Sequence, residues 1–455
     1  MNPIISFLKV PNVLLVLVSM LFIFPIMAQQ PIRSMYIIET ELAIICGENS
    51  KPYAERVRLI HRLPSNLAPE QMERCRAFLE SPLAGQPLPD LEFNGLKNEL
   101  VFALLRQREG LTELAELLAL EREEDLAALY QAAYSVKLRY IGKNVSLRGL
   151  IEMGNICAKD CFYCGIRRSN HATERFQLPA DAVIRMAKWA YDAHYGSVAI
   201  QSGEIESDPH TETILYILDE IRKFSGGKLG VTLSLGEQTE DVYRRWRDAG
   251  AHRYLLRIEE ADPQLYGKLH PADHSYERRV GCLALLKKLS YQVGSGVMIG
   301  LPGQTVEHLA NDILFFAEQD LDMIGMGPWL PHPQTPLGKD FADTLDFRKK
   351  QLQQGIKMIA VTRLFLHNVN IAATTALQTL APDGREQGIL AGANVIMPNV
   401  TDTAYRKNYQ LYTGKPNLDE NSEDARASLT ESLAAIGENI LWDQRGDSPH
   451  YFQQK

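Results

Sequence analysis

The sequence predicts an α/β protein, namely a complete (βα)8 barrel of the TIM type with an N-terminal helical extension. The first observation behind this prediction is that short apolar runs alternate with helical patterns from Ser146 onward. The second is that there are eight such runs, the number of strands that closes a parallel barrel. The third is a group of cysteines directly after the first run, at the strand end where such barrels carry their chemistry.

The predicted strands are Leu147–Met153, Ser197–Gly203, Leu229–Leu235, Arg253–Glu259, Gln292–Gly300, Met323–Trp329, Val369–Thr375 and Ala393–Pro398. Helices are predicted between most of them, over Pro179–His194, Thr211–Phe224, Glu240–Ala249, Tyr276–Leu289, Val306–Gln319 and Asp346–Leu366. The segment before the last strand, Gly384–Leu390, is short. Repeated strand–helix units indicate a parallel sheet.

The predicted barrel covers residues 146–400. Before it, residues 93–145 carry Leu, Ala and Glu at helical spacing, which predicts two or three amphipathic helices that pack on the barrel. Residues 401–455 are expected to be a C-terminal extension that closes the barrel. Residues 31–92 are poorly patterned, and their Pro- and Gly-containing stretch at 81–89 is typical of a linker.

The composition is that of an ordinary globular protein, with 45% hydrophobic and 23% charged residues. The formal net charge of −8 gives no electrostatic basis for binding nucleic acid. Six cysteines, three of them scattered, form no disulfide framework, and this indicates a reducing compartment. We therefore expect a cytoplasmic location.

The cysteines after the first predicted strand, Cys157, Cys161 and Cys164, have the spacing C-x3-C-x2-C. Thiolates are the usual ligands of iron–sulfur clusters. Three of them on one tight loop can hold a [4Fe-4S] cluster whose fourth iron stays open to S-adenosylmethionine (SAM). Electron transfer from such a cluster cleaves the sulfonium and gives a 5′-deoxyadenosyl radical. The alternatives are reduced thiols or a structural zinc site, which usually takes four ligands in paired motifs.

An apolar, uncharged stretch, Val10–Met27, lies within residues 1–30 and is typical of a signal peptide or a marginal membrane span. Export would separate the domain from SAM and from a low-potential reductant. We therefore favour the interpretation that residues before about Asp90 are not part of the working enzyme. An inner-membrane anchor is the second interpretation and true export the third, and membrane contact is expected only if residues 10–27 are a real anchor.

The ends of the second and third predicted strands carry polar side chains that could contact SAM. Gln201 and Ser202 could bind an ammonium group, although a plain strand-to-helix turn looks similar. Thr232 and Ser234 alternate along the third strand, so they share one face and could donate hydrogen bonds into a cavity.

The fourth predicted strand places Arg253, Arg257 and Glu259 on one face. Because strands of parallel barrels bury both faces, these charges are expected to line a pocket. Glu259 could then hold ribose hydroxyls, and Arg257 or a later arginine could hold a carboxylate. The alternative is a set of outward ion pairs with the helix layer.

The remaining strand ends are less specific. The glycine-lined end of the fifth strand, Gly296–Gly303, suits an adenine against backbone or tight helix packing. His332, between two prolines after the sixth strand, could touch substrate, but the favoured interpretation is a surface residue. Thr374 and Thr375, at the end of the seventh, could bind an anion or could be ordinary β-branched strand residues.

The cysteine loop ends in Cys-Phe-Tyr-Cys-Gly and resembles that of the radical SAM superfamily. The whole pattern is similar to the HydE family of [FeFe]-hydrogenase maturases, from about Asn94 to Tyr412 but not in residues 1–90. The segments that carry the similarity are Gln201–Glu204, Ser234–Glu237, Arg253–Glu259, Gly300–Thr305, Gly327–Leu337, Thr374–Ala376 and Ala393–Asn399.

The resemblance implies that the three cysteines bind the [4Fe-4S] cluster. It implies that SAM is contacted by Gln201, Ser202, Thr232, Ser234, Arg257, Glu259, Arg279 and Leu301. Glu259 would bind the ribose, and Arg279 the methionine carboxylate. Thr374 and Thr375 would form part of an anion or substrate site deep in the barrel, and Tyr412 would close the cavity near SAM.

The resemblance also implies a role in assembling the H-cluster of [FeFe] hydrogenase. The substrate would be a small organometallic or sulfur-containing compound, namely a cysteine-bound iron carbonyl–cyanide unit. The implied partners are the other hydrogenase maturases and a one-electron reductant such as ferredoxin or flavodoxin. Some family members bind a second cluster through cysteines after the tyrosine segment. Thr413–Asn421 contains none, so no auxiliary cluster is predicted.

Two other functions remain as alternatives. One is a radical SAM enzyme on an amino-acid or vitamin substrate, as in methylornithine synthase or biotin synthase, although the extra cysteines that biotin synthase needs are not apparent. The other is a membrane-anchored iron–sulfur scaffold without radical chemistry. Formation of 5′-deoxyadenosine from SAM would exclude the scaffold.

Overall fold

The computed structural model describes residues 109–453. The predictions for the apolar stretch, the linker and the start of the N-terminal helices therefore lie outside the described residues. Two helices come first, α1 (Glu109–Leu118) and α2 (Glu123–Tyr140), and α2 packs on the later helix α9 (Leu345–Leu366). No helix within residues 109–453 combines the length and apolar character needed to cross a bilayer.

The strands are β1 (Asn144–Leu147), β2 (Gly149–Gly154), β3 (Ser197–Ser202), β4 (Gly230–Ser234), β5 (Arg253–Leu255), β6 (Gln292–Ser295), β7 (Met298–Ile299), β8 (Met323–Ile324), β9 (Gly327–Pro328), β10 (Asn370–Ile371), β11 (Val395–Ile396) and β12 (Asn439–Ile440). The other helices are α3 (Ala180–Asp192), α4 (Asp208–Ser225), α5 (Glu240–Ala249), α6 (Pro263–Leu269), α7 (Tyr276–Lys288), α8 (Val306–Glu318), α10 (Thr375–Leu380), α11 (Gly384–Leu390), α12 (Thr403–Arg406), α13 (Ser422–Ala435) and α14 (Pro449–Gln453).

Seven strands form one parallel sheet in the order β10, β8, β6, β5, β4, β3, β2. The stretch that contains β11 joins its two edges, because Val395 bridges Ala372 after β10 and Asn399 bridges Leu150 in β2. Backbone hydrogen bonds support both junctions, including Ala373 N to Val395 O at 2.9 Å and Val400 N to Leu150 O at 2.9 Å. The ring of eight parallel strands is therefore closed, and the predicted (βα)8 barrel is confirmed.

Short polar side chains begin the helices on the outside of the barrel. The hydroxyl or carboxylate oxygen at the N-cap accepts a hydrogen bond from a backbone N–H of the first turn, which would otherwise lack a partner. The residues that do this are Ser207, Thr239, Asp262, Ser275, Thr305 and Thr344. These caps fix where each helix starts relative to the strand before it.

Several predicted strands differ in detail from the observed ones, and the fifth divides into β6 and β7 and the sixth into β8 and β9. The first divides near Arg148, because β1 pairs with β11 and β12 whereas β2 pairs with β3. The fourth is regular only over β5, which ends at Leu255, and further on the backbone of Glu259 adopts a left-handed φ of 71°. A strand period of two therefore does not extend from Arg253 to Glu259.

The end of the chain lies at the amino ends of the strands. Strand β12 pairs with β1, and Asp447 follows it and contacts Arg253 at the start of β5. Buried apolar side chains of the strands and the surrounding helices form one continuous core that includes Leu129, Ile200, Trp246 and Ile313. The proposed domain boundaries at residues 145/146 and 400/401 stay a prediction.

Candidate active site

The cysteine loop begins where β2 ends at Gly154, at the carboxyl ends of the strands. One arginine outside the motif holds it in shape. The guanidinium of Arg175 donates to the carbonyls of Asn155 at 2.6 Å, Ile166 at 2.7 Å and Asn170 at 3.1 Å. A single side chain therefore ties both ends of the loop together, a role that the sequence analysis did not assign.

The thiols of Cys157, Cys161 and Cys164 are free and partly buried on this loop. Burial raises the pKa of all three, that of Cys161 to about 12; Cys157 adds to the shift of Cys161, and both add to that of Cys164. Within residues 109–453 no three His, Cys, Asp or Glu side chains converge on the position of one metal ion. Such convergence is not needed for a cubane cluster, in which each thiolate binds a different iron.

The cysteine loop lies directly on the end of β3. The backbone N–H of Glu204 donates to Cys157 Sγ at 3.3 Å, and Ala158 N donates to Glu204 O at 2.8 Å. A Cβ atom on Gly203 would lie 2.2 Å from the carbonyl oxygen of Ile156, so only glycine permits this approach. Ser202, a predicted SAM contact, donates to Gly203 O at 2.7 Å, and Gln201 reaches Tyr409.

A cluster of buried charges lies beside Cys157. Lys159 pairs with Glu204 at 3.1 Å and with Glu237 at 3.0 Å. Arg279, predicted to hold a carboxylate, reaches Glu237 at 2.8 Å and Glu204 at 3.7 Å. Burial lowers the pKa of Arg279, but the two carboxylates outweigh burial, and its pKa is raised well above the ordinary value. Arg279 is therefore a permanent cation at the mouth of the barrel.

The roles of Glu204 and Glu237 in this cluster were missed from the sequence. A signal was present, since a Gly-Glu pair follows two neighbouring predicted strands at Gly203-Glu204 and Gly236-Glu237. Because parallel strands end at the same edge of a sheet, the two carboxylates had to come close together.

Arg257 and Glu259 form an ion pair at 3.0 Å, as expected for residues that line a pocket. Arg257 also donates to the carbonyl of Val297 at 2.8 Å, whereas its Nε is buried without a hydrogen-bond partner. Burial raises the pKa of Glu259, and the guanidinium groups of Arg257 and Arg279 partly oppose that shift.

Arg253 does not join that pocket. Its guanidinium lies at the opposite end of the barrel, where it donates to Ser197 Oγ at 2.9 Å and pairs with Asp447. Thr232, a predicted SAM contact, is beside Arg253 in register, and both line a small interior cavity. Ser234 is two residues further along β4, nearer the site. The expectation of one shared pocket for all the charges of this strand was therefore wrong for Arg253.

Leu301 is 3% exposed and packs with Leu269, Met298 and Trp329 in a small apolar cluster. Tyr163 of the cysteine loop packs against the same cluster, so Leu301 lies close to the loop. His332 is 7% exposed, and a Cβ on Gly165 would meet its ring at 2.7 Å. The interpretation of His332 as a surface residue was therefore wrong, because the loop that carries it folds against the cysteine loop.

The predicted substrate residues lie together at the end of β10. Thr374 precedes helix α10, and its Oγ1 is buried without a hydrogen-bond partner. Thr375 Oγ1 accepts a hydrogen bond from Arg385 at 3.0 Å. Burial raises the pKa of Tyr412 to about 12, and both Arg385 and Arg257 act on it electrostatically. Tyr412 is therefore near Arg385, which contacts Thr375, and near the Arg257–Glu259 pair.

The side chains present fit an iron–sulfur cluster with bound SAM. Three thiols on one loop supply soft donors, and metal binding deprotonates coordinating thiols despite their raised pKa. At the site, Arg257 Nε is buried without a hydrogen-bond partner among residues 109–453. Such an atom is costly in a folded protein unless a ligand meets it.

The fold and this site define a radical SAM enzyme, and comparison with known proteins agrees. The model of the Radical SAM superfamily matches residues 151–316. The chain is 43% identical over 314 residues to the [FeFe] hydrogenase maturase subunit HydE of Thermotoga maritima, covering 68% of this chain and 86% of that protein. The chain belongs to the HydE family.

More distant relatives share the fold. The 3-methylornithine synthase of Methanosarcina acetivorans is 26% identical over 333 residues, which cover 71% of this chain and 88% of that one. A crystal structure of methylornithine synthase superimposes with a TM-score of 0.63 at 25% identity, covering 73% of this chain and 94% of that chain. The barrel is thus common to enzymes that act on different substrates.

Proposed function

We propose that this chain is a radical SAM maturase that acts in the assembly of the [FeFe]-hydrogenase H-cluster. The observation that supports this best is the high identity to the Thermotoga maritima maturase over most of that protein's length. The substrate in this proposal is a cysteine-bound iron carbonyl–cyanide unit. The enzyme works with the other hydrogenase maturases in the cytoplasm and takes electrons from a one-electron reductant such as ferredoxin or flavodoxin.

Cys157, Cys161 and Cys164 would hold the [4Fe-4S] cluster, with the fourth iron left for SAM. When bound, the cluster and SAM supply a one-electron cleavage that gives a 5′-deoxyadenosyl radical. Arg175 donates hydrogen bonds to backbone carbonyls at both ends of the cysteine loop, and Gly203 permits its close approach to the end of β3. No auxiliary cluster is part of the proposal, because Thr413–Asn421 contains no cysteine.

The residues around the cluster would bind SAM by charge and by hydrogen bonds. The permanently charged Arg279 suits the methionine carboxylate, and the Arg257–Glu259 pair suits the ribose hydroxyls. The other contacts in this proposal are Gln201, Ser202, Thr232, Ser234 and Leu301. Thr374, Thr375 and Tyr412 would face the substrate on the far side of the cavity.

The experiment that tests the proposal is complementation of a hydrogenase-producing strain that lacks its HydE maturase. The full chain, a chain that begins at Asn94 and a Cys161→Ala chain are each expressed in that strain. The first two are expected to restore hydrogenase activity and the third is not. If a control maturase restores activity and the full chain does not, the proposed function is wrong.

A second function has a specific observation behind it, namely the structural match to methylornithine synthase. In that case the radical would act on a free amino acid. Anaerobic incubation of the reconstituted protein with SAM, reductant and each proteinogenic amino acid separates the two functions. A rearranged amino-acid product would favour the second, whereas the proposed function predicts none.

A further inference from the structure

Several polar side chains lie near Thr374 and Thr375 at the end of β10. One of them, Arg385, is positively charged. Neither the motif spacing nor the family resemblance assigns this arginine a role. We call the group formed by Thr374, Thr375, Gln378, Arg385 and Tyr412 the Arg385 pocket. Its residues come from α10, α11 and the segment after α12, so they meet only in the folded chain.

Arg385 lacks a neutralising partner. Its Nη2 donates to the neutral hydroxyl of Thr375 at 3.0 Å, and its Nε is buried without a hydrogen-bond partner. No carboxylate within residues 109–453 forms an ion pair with it, although Glu386 and Glu420 influence it at longer range. Because a buried guanidinium is costly without an opposite charge, a negative group bound beside Arg385 would be stabilised.

Two further atoms of the pocket are also without partners. Thr374 Oγ1 and Gln378 Oε1 are buried and make no hydrogen bond within the described part of the chain. Thr374 stands at an N-cap position, yet its hydroxyl makes no capping hydrogen bond. A Cβ atom on Gly327 would lie 2.7 Å from Thr374 Oγ1, so glycine keeps space open beside that hydroxyl.

We propose that Arg385, together with the hydroxyl of Thr374, binds the carboxylate of the amino-acid part of the substrate. This inference rests on the proposed function, in which the substrate is carried by a cysteine. A carboxylate supplies the missing charge, and its two oxygens accept the free N–H and O–H donors. Arg385 is then a specificity-determining residue that selects substrates with a carboxylate, and it does not contact SAM.

Two small molecules that differ only in the carboxylate test this inference, namely L-cysteine and cysteamine. Their affinities for the anaerobically reconstituted full chain with bound SAM are measured by calorimetry. The wild type is expected to bind L-cysteine about ten- to hundredfold more tightly than cysteamine. Arg385→Gln is expected to bind both equally weakly, and Arg385→Lys to recover part of the preference.

A matched control is Arg348→Gln, which removes an arginine in the first turn of α9 from an ion pair with Asp343. It should keep the wild-type preference. Thr374→Val, which replaces a hydroxyl by a methyl group, should reduce the preference about fivefold. If the wild type does not distinguish the two molecules, or if Arg385→Gln still does, the inference is wrong.

Two further measurements separate this result from misfolding and from failure of the proposed function. Arg385→Gln should melt near the wild-type temperature and should form 5′-deoxyadenosine at the wild-type rate without substrate. In a hydrogenase-activation assay it should raise the substrate concentration for half-maximal activation about tenfold or more. A wild type that activates no hydrogenase contradicts the proposed function, whereas a variant that activates like the wild type contradicts only the role of Arg385.

Discussion

Buried charged side chains have different kinds of partner at the two ends of the barrel. At the amino ends of the strands, Arg253 pairs with Asp447, which also accepts a hydrogen bond from Gln292 Nε2 at 2.8 Å. Arg445 and Ser448 of the same C-terminal segment bind neighbouring loops and strands there. The carboxylate thus comes from a distant part of the chain, and it fixes that segment against the barrel.

At the carboxyl ends, by contrast, charges from adjacent loops share partners. Lys159 and Arg279 both contact Glu204 and Glu237. Buried atoms without a partner within residues 109–453 occur at both ends, for example Thr374 Oγ1 here and Arg148 Nε at the amino ends. The two ends differ in how their charges are paired and in their distance from the cysteine loop, so substitutions at the two ends should affect different measurements.

The largest effect is expected when a cysteine of the loop is replaced, and it should appear in SAM cleavage and iron content. Cys161→Ala should abolish SAM cleavage and lower the iron content while leaving the fold intact, because the loop is held by Arg175 as well as by the cluster. Iron analysis and 5′-deoxyadenosine formation measure this. Cys282→Ala is the matched control, since that buried cysteine belongs to helix α7 and is not on the loop. Equal losses in both variants would contradict the assignment of the ligands.

Substitutions at the amino ends of the strands should instead change the free energy of unfolding. Asp447→Asn leaves Arg253 buried without its counter-charge, which should lower the free energy of unfolding by about 3 kcal/mol. The rate of SAM cleavage per folded molecule should not change, because the site lies at the other end. Asp443→Asn, in an exposed pair with His194, should change stability by less than about 0.5 kcal/mol. A drop in activity with unchanged stability would contradict the division between the ends.

Low pH should also lower the free energy of unfolding through a group at the amino ends of the strands. Burial lowers the pKa of His252, which faces Asp447 at 3.2 Å, to about 4, below its ordinary value of 6.5. Since the unfolded chain binds the proton more readily, stability should fall as the pH drops from about 6.5 towards 4, by up to about 3 kcal/mol. His252→Gln should flatten that part of the profile of unfolding free energy. An unchanged slope would mean that other groups cause it.

The smallest expected effect concerns the shared carboxylates at the carboxyl end. Glu237→Gln removes one partner of Arg279 and Lys159 but leaves Glu204 to both. The dissociation constant of SAM should rise about tenfold, because Arg279 is positioned less firmly. Glu240→Gln, which removes a charge from an exposed ion pair with Lys288, is the control. Lower stability with unchanged SAM affinity would show that Glu237 only supports the fold.

Local patterns in the sequence predicted much of the fold and part of the site. The alternation of apolar runs and helical segments is repeated in short windows, and it correctly predicted eight parallel strands. The same reasoning was wrong for Arg253, because residues on one face of a strand share a side of the sheet but not a position along it. Arg253 begins β5, and at about 3.3 Å per residue it lies about 13 Å before Arg257 along the chain.

By itself the sequence determined the barrel, the spacing of Cys157, Cys161 and Cys164 on one loop, and the family, because all of these are encoded by neighbouring residues. Only the tertiary structure decided that Asp447 neutralises Arg253, that Glu204 and Glu237 share Lys159, and that Arg385 donates to Thr375. The physical reason is that a charged group takes whichever partner the packing brings within reach. When the partners come from different strands and loops, their spacing in the sequence does not predict which groups will pair.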